Sequence, residues 1–592
     1  MFERLKQFPP GLRKSAPLLI LFGFTLALIV YFVVGFVARE RFIYFWDYWT
    51  YYHLFADLGR KFADQPLKAL DSINVSMRKS EYNNTGVVPL MPFYFIFGAG
   101  RAAYVAAVAV VYGFSTIVFF PALLKKITGF DGGARRIEKL LFFALAIALL
   151  GLLPQFWIPV LLGYYDVGGV GLIFLILYFY FRKGWREQTT KNLIVIGLTV
   201  FALVIFRRWY AYWPVGFFAA LAAREIFSFL AGGRDLKNLK TGLKNILIAG
   251  AASALVYFAL ATQIAVRMLK TDYGVIYSAY RSNAGVFEDL SKLYGYFGTF
   301  TMLLALGGAA RMLASKALRA RALFLGVLFA VTFYSFTRTQ DMDFHHYYWA
   351  LSILIIFAAV FAVETFRRLE SLKSQTALVS VLLLLSAANF ATVFSGKAGT
   401  FLSPVEFLFS KARLAPKVRN DLDELHRLLR TLDELTRARR QMIYVLSSST
   451  SLNSSILIVG CEQFEPELLL LKERIFYGHD VDKRDGFPFQ LYEADFVVVA
   501  DPPGYHLRPG DQKIVGVLAE QFIKGQTVGG AFKKLPAEFT LDDASKVFIY
   551  QKERKYTADE LMSVSRMFTG FYPEQRAKFE ISAEMIGKFI EN

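Results

Sequence analysis

The chain has 592 residues, of which 55% are hydrophobic and 16% aromatic, with 59 phenylalanines. A soluble protein of this length keeps a lower apolar fraction, and here the apolar residues fall in repeated runs of membrane length, so a soluble architecture is excluded. The balance of 67 Lys+Arg against 48 Asp+Glu gives a net charge of +19. The basic residues cluster between apolar runs, which reads as topological anchoring and attraction to anionic lipid headgroups, not as a nucleic-acid surface. The single cysteine, Cys461, leaves no intramolecular disulfide and no cysteine-based metal site.

The chain starts MFERLKQFPPGLRKS, basic and then apolar, without a small-residue cleavage site, and this predicts a retained first span. Candidate spans cover 16–37, 87–97 continuing into 102–124, 139–162, 167–182, 192–206, 210–230, 246–266, 293–312, 322–337, 347–363 and 376–395, about eleven in all. The loops alternate in character. Those at 1–14, 125–139, 182–191, 224–244, 311–321 and 364–375 are basic, and the positive-inside rule makes them cytoplasmic. Those at 39–86, 163–167, 207–213, 267–292 and 338–346, with everything after 396, are aromatic and acidic and are expected outside. The N-terminus is then cytoplasmic and the C-terminus extracytoplasmic.

The first outer loop, 39–86, carries Leu54, Phe55, Leu58 and Phe62, then Leu67, Leu70 and Ile73, at helical spacing among charges. Two short amphipathic helices along the membrane interface are predicted. Pro89 and Pro92 stand at the mouth of the next span, where freed carbonyls need a cavity or water. After 396 the composition becomes that of a soluble domain. Residues 396–440 read as a linker and a charged helix, with Leu422, Leu425, Leu429, Leu432 and Leu435 on one face. Residues 441–592 read as an extracytoplasmic α/β domain with strands at 455–460, 495–500 and 546–551. No phosphate-cradling glycine pattern occurs there. Sequons at Asn74, Asn83 and Asn453 fall on the outer side at a number chance would supply.

Polar groups suited to chemistry gather in the outer aromatic loops. Asp47 lies in RFIYFWDYWTYYH (41–53), just beyond the first span. Asp166 lies in GYYD, Arg207, Arg208 and Tyr210 in FRRWYAYW, and Asp341, Asp343, His345 and His346 in DMDFHHYYW. A carboxylate sheltered at a membrane face can serve as a general base toward a lipid-borne substrate, and paired arginines there suit an anionic ligand. Bland roles compete: aromatic belts anchor membranes, Asp166 can cap the helix that follows it, and the arginines can snorkel. Adjacent histidines point in different directions, so one of the two at most is expected to act. A divalent metal on His345, His346 and Asp341 has no standard spacing, and no cofactor is expected.

Asp47, VPLMPFYFIFG (88–98), GYYD (163–166), FRRWYAYW (206–213) and DFHHYYW (343–349) together resemble the GT-C superfamily of integral-membrane glycosyltransferases. The likeness is to the bacterial branch of protein O-mannosyltransferase-like and lipid A aminoarabinose transferase-like enzymes, and it covers roughly residues 10–395. It implies a mainly α fold with a GT-C-like core of transmembrane helices at 1–395. It implies a donor sugar on a polyprenyl phosphate, an acceptor hydroxyl on a glycan, lipid or protein, and Asp47 as catalytic base. Arg207 or Arg208 and His345 or His346 become candidates for the donor phosphate, with Asp166 and Tyr210 lining the substrate site. The common Asp-Glu pair of the family reads Asp47-Tyr48 here. The bacterial plasma membrane is the implied location. A transporter or flippase would instead place charge near the bilayer midplane, where these spans have almost none, and a non-catalytic scaffold would leave the polar loops without a purpose.

Overall fold

The computed structural model describes residues 10–131, 133, 135–231, 234–282 and 285–590. Among the described residues, eight helices are long and apolar enough to cross a bilayer, and the pair Arg136–Gly151 and Pro154–Leu162, bent by 50°, makes a ninth if it is one span. The two remaining expected spans are also helices, Val167–Arg182 and Thr190–Phe206, of 16 and 17 residues. At a 1.5 Å rise per residue these reach about 25 Å, short of a 30 Å hydrocarbon core. This is a multi-pass membrane protein of mainly helical fold, with a small sheet near its C-terminus.

The chain divides into two units. The first comprises Met1–Arg39, Thr50–Thr271 and Asn283–Pro416; the second comprises Glu40–Trp49, Asp272–Ser282 and Lys417–Asn592. The sequence reading places the whole of 39–86 in the membrane core and begins the soluble domain at 441. Compactness instead assigns Glu40–Trp49, Asp272–Ser282 and the chain from Lys417 onward to the second unit.

In the first unit the Tyr348–Arg368 helix is central, 83% buried over its apolar window, and packs against the helices at Val286–Ala314, Ser115–Thr128 and Val167–Arg182. A helix apolar on every face is one that neighbours surround. Gly308 lets the Val286–Ala314 helix press onto the backbone of Phe357, where a Cβ would collide with the carbonyl. Small residues of this kind permit close helix contact where no hydrophobic force separates protein from lipid. Both amphipathic helices expected within 39–86 form, at Asp47–Asp64 and Pro66–Lys79. Phe55 and Leu58 face inward, whereas Leu67 and Leu70 are exposed.

The second unit holds a four-stranded sheet of order β1-β2-β4-β3, with β1 Ile443–Leu446, β2 Phe496–Asp501, β3 Phe532–Thr540 and β4 Lys546–Lys552. β1 and β2 are parallel, while β4 runs antiparallel to β2 and to β3. Two predicted strands match β2 and β4. The third does not: residues 455–460 lie in a helix, Ser454–Gln463, opened by Asn453, whose side chain accepts the Ile456 N–H. Its apolar run is buried almost throughout, and such a run carries no period by which to separate helix from strand. The charged helix spans Leu422–Thr436, with Leu425, Leu429 and Leu432 buried as expected. Asn453 and Asn83 are both buried, so neither sequon presents a free amide.

Candidate active site

The turn Gly163–Asp166 joins two helices, and Gly163 closes the first of them with a φ of 99°, a left-handed value that favours glycine. Asp166 is fully buried at the start of the next helix but makes no side-chain cap. Its carboxylate goes elsewhere. Oδ1 accepts the indole N–H of Trp209 at 2.7 Å and lies 3.0 Å from Arg207 Nε, while its backbone carbonyl accepts the Tyr210 hydroxyl at 2.8 Å. Gly168 and Gly169 follow, and any side chain there would run into Phe206 and Tyr210. The glycines therefore let the FRRWYAYW turn close over the first turn of the Val167–Arg182 helix.

Arg207 is itself buried, and its guanidinium lies 4.4 Å from the centre of the Tyr51 ring. Tyr51 in turn packs on Tyr82, Tyr164 and Tyr165. A buried cation is tolerable only when paired, and here a carboxylate and an aromatic face share it. Arg208 points differently, to an ion pair with Glu81 that is partly open to solvent.

The histidine loop completes the cluster. His345 stacks on Tyr164 with ring centres 4.4 Å apart, and the His346 ring lies 5.3 Å from Trp209. His346 Nδ1 accepts the backbone N–H of Asp343 at 3.1 Å, and its Nε2 lies 3.2 Å from the Gln340 amide nitrogen. Burial, reinforced by the Arg207 charge, pushes His346 down to about 3; burial, with His346 and Arg207 beside it, also pushes His345 well below the usual histidine range. Both rings are therefore neutral near pH 7 and act through hydrogen bonds and stacking, not as cations. Asp341, the third residue of the conceivable metal set, pairs instead with Lys292 at 3.1 Å. Among the described residues no three His, Cys, Asp or Glu side chains are grouped to hold a metal ion.

Asp166, Arg207, Tyr210, His345 and His346 thus meet in one cluster, all buried but the half-buried His346, with Arg208 one residue away. Tyr51, Glu81, Tyr164 and Trp209 belong to it as well, and the sequence singled out none of them. Only their position in the same aromatic loops marks them. Asp47 is half-buried and is the first residue of the Asp47–Asp64 helix, four residues before Tyr51 in the chain. An acid in the first turn is favoured by the helix dipole.

No family model matches the chain, and no curated protein matches it in sequence. Solved structures resemble it. One is ArnT from Cupriavidus metallidurans bound to undecaprenyl phosphate, at 10% identity, covering 90% of this chain and 97% of that one, with a TM-score of 0.46. The oligosaccharyltransferase of Archaeoglobus fulgidus in its apo form has 12% identity, 81% and 69% coverage and a TM-score of 0.42. The same enzyme in complex with Zn and sulfate has 12% identity, 80% and 67% coverage and a TM-score of 0.40.

Proposed function

We propose that this protein is a membrane glycosyltransferase of the GT-C kind, moving a sugar from a polyprenyl phosphate to an acceptor hydroxyl at the outer face of the bacterial plasma membrane. The reading rests on one observation. Three outer loops far apart in sequence, with Tyr51 of the first-loop helix, converge on a single cluster of charge and aromatic rings at the ends of the spans. A transporter site would be expected at mid-span.

The reaction is a single inverting displacement. The acceptor hydroxyl gives its proton to an Asp47 carboxylate oxygen and its oxygen bonds to the anomeric carbon. The bond from that carbon to the phosphate oxygen breaks, and polyprenyl phosphate leaves with the electron pair. Arg208, paired at the rim with Glu81, is the cation able to turn to a phosphate, because Arg207 is engaged by Asp166 and Tyr51. Preorganised charge of this kind stabilises the leaving group without reorganisation. Neutral His345 and His346, with Tyr210 and Asp166, shape the wall around it. The N-terminus is then cytoplasmic and the C-terminal domain extracytoplasmic.

The test is transfer by the purified full-length protein in detergent, with a panel of polyprenyl-phosphate sugars and product masses as readout. Transfer that disappears in Asp47→Asn, with the folded protein intact, is the expected result. Full transfer in that variant would overturn the assignment of the base.

A further inference from the structure

The ten residues Glu40–Trp49 are built into the second unit as part of its core. Arg41 forms a parallel bridge with Val418, its N–H donating to the Lys417 carbonyl at 2.9 Å and its own carbonyl accepting the Arg419 N–H at 2.8 Å. Arg419 is locked in turn by a buried two-bond pair with Asp421. Ile43 and Phe45 lie in the same apolar cluster as Leu425, Val445, Ile456 and Val498. The Lys417 ammonium sits 5.0 Å from the Phe42 ring and 5.2 Å from the Tyr48 ring.

The last residue before the proposed base is the most constrained. Trp46 has a φ of 49°, a left-handed conformation costly for a bulky side chain and kept only where the surroundings impose it. Its N–H donates to Ser455 Oγ at 3.2 Å, and its ring lies 4.6 Å from that of His506. His506 is pinned in its own right. Its N–H donates to Gln512 Oε1 at 3.0 Å, and its Nδ1 lies 2.8 Å from Ser448 Oγ, which donates to Asp480 at 3.0 Å. On another side, Tyr280 of the segment Asp272–Ser282 stands 6.3 Å from the His506 ring, and the Arg281 carbonyl accepts from Arg508 at 3.0 Å. Two separate segments of the chain thus each place an aromatic ring beside His506.

We infer that His506 is a positioning residue, which through Trp46 sets the direction of the Asp47 carboxylate. This rests on the reading of Asp47 as the base. The backbone turn at Trp46 aims the first turn of the Asp47–Asp64 helix, and the imidazole packs, tilted, against the indole that keeps that turn. Removing the ring frees Trp46 to relax to an ordinary φ and swings the carboxylate away. An ångström of displacement at a reacting group can cost on the order of 100-fold in rate.

The experiment compares His506→Ala, Trp46→Ala and Trp46→Phe in full-length protein, each alone and combined with Asp47→Asn. The expected result is a kcat lower by about 10- to 100-fold in the two alanine variants, a donor KM within about two-fold of wild type, and partial recovery in Trp46→Phe. In the Asp47→Asn background His506→Ala should add nothing, since coupled residues are not additive. A readout independent of activity uses Asp47→Cys in a Cys461→Ala background, so that the introduced thiol is the only one in the chain. Maleimide should label that thiol several-fold faster once His506→Ala is added. Unchanged kcat and unchanged labelling would overturn the positioning role while leaving the base in place. An equal loss of residual rate in the Asp47→Asn background would assign His506 to general stability instead. Full activity of Asp47→Asn would sink the function while the labelling still judged the mechanical claim.

Discussion

Asp47 and Asp166 stand in closely similar local sequence, each an acid after aromatic residues at the start of a helix, yet the fold buries them to different degrees. Asp166 is fully buried, bonded to Trp209 and paired with Arg207, so its charge is neutralised inside the structure. Asp47 is half-buried, in a segment held by the second unit. An acid in an aromatic loop is therefore not a site by virtue of its neighbours in sequence. A buried carboxylate that neutralises a buried guanidinium is committed to that pair.

Substitution should separate the two carboxylates. The largest effect is expected at Asp47, where Asp47→Asn should lower transfer by about 100- to 10,000-fold, the range of a general base, without changing the thermal midpoint. Asp166→Ala should do the reverse and act through stability. It strands Arg207 in a buried site, at about 3–5 kcal/mol, read as loss of folded protein on gel filtration and a lowered midpoint. Equal behaviour of the two variants would erase the distinction. Arg208→Ala should raise the donor KM by about ten-fold, as loss of a charge-assisted contact would, whereas Arg224→Ala, which removes a bond to Tyr180, should leave it near wild type.

The smallest effect concerns pH. His346 is pushed down to about 3 from 6.5, so between those values the unfolded chain binds a proton that the fold does not. Stability should therefore fall as pH drops below about 6.5 and should not recover above pH 3. His346→Gln should flatten part of that slope in a thermal series from pH 7.5 to 5.

The hydrophobic pattern alone locates the long helices of the membrane unit, because a run that must satisfy its backbone within lipid can only be helical. The leucine face at 422–435 and the two first-loop helices are equally legible, since an amphipathic period survives in any context where one side is buried. The strands are less so. β1 is four residues long, with all four buried, and β3 is mostly exposed, so neither offers a clear alternation. The run at 455–460 reads as a strand until Asn453 is seen to cap it. Short apolar runs in a small mixed domain take their state from their neighbours.

Within the site, the sequence could bring charged loops to one membrane face but could not pair them. That Asp166 takes Arg207 and Glu81 takes Arg208 depends on which turns close on which helices, and the glycines at 168 and 169 permit it by leaving room.

Span positions, the division into apolar core and polar tail, and the gathering of acids, arginines and histidines in a few loops are written in composition and period along the chain. That Asp166 is committed to an ion pair, that both histidines are neutral, and that the ten residues Glu40–Trp49 belong with the tail emerge only once the chain is folded. Solvent exclusion and charge pairing are properties of surroundings, and those surroundings are assembled from residues tens or hundreds of positions apart.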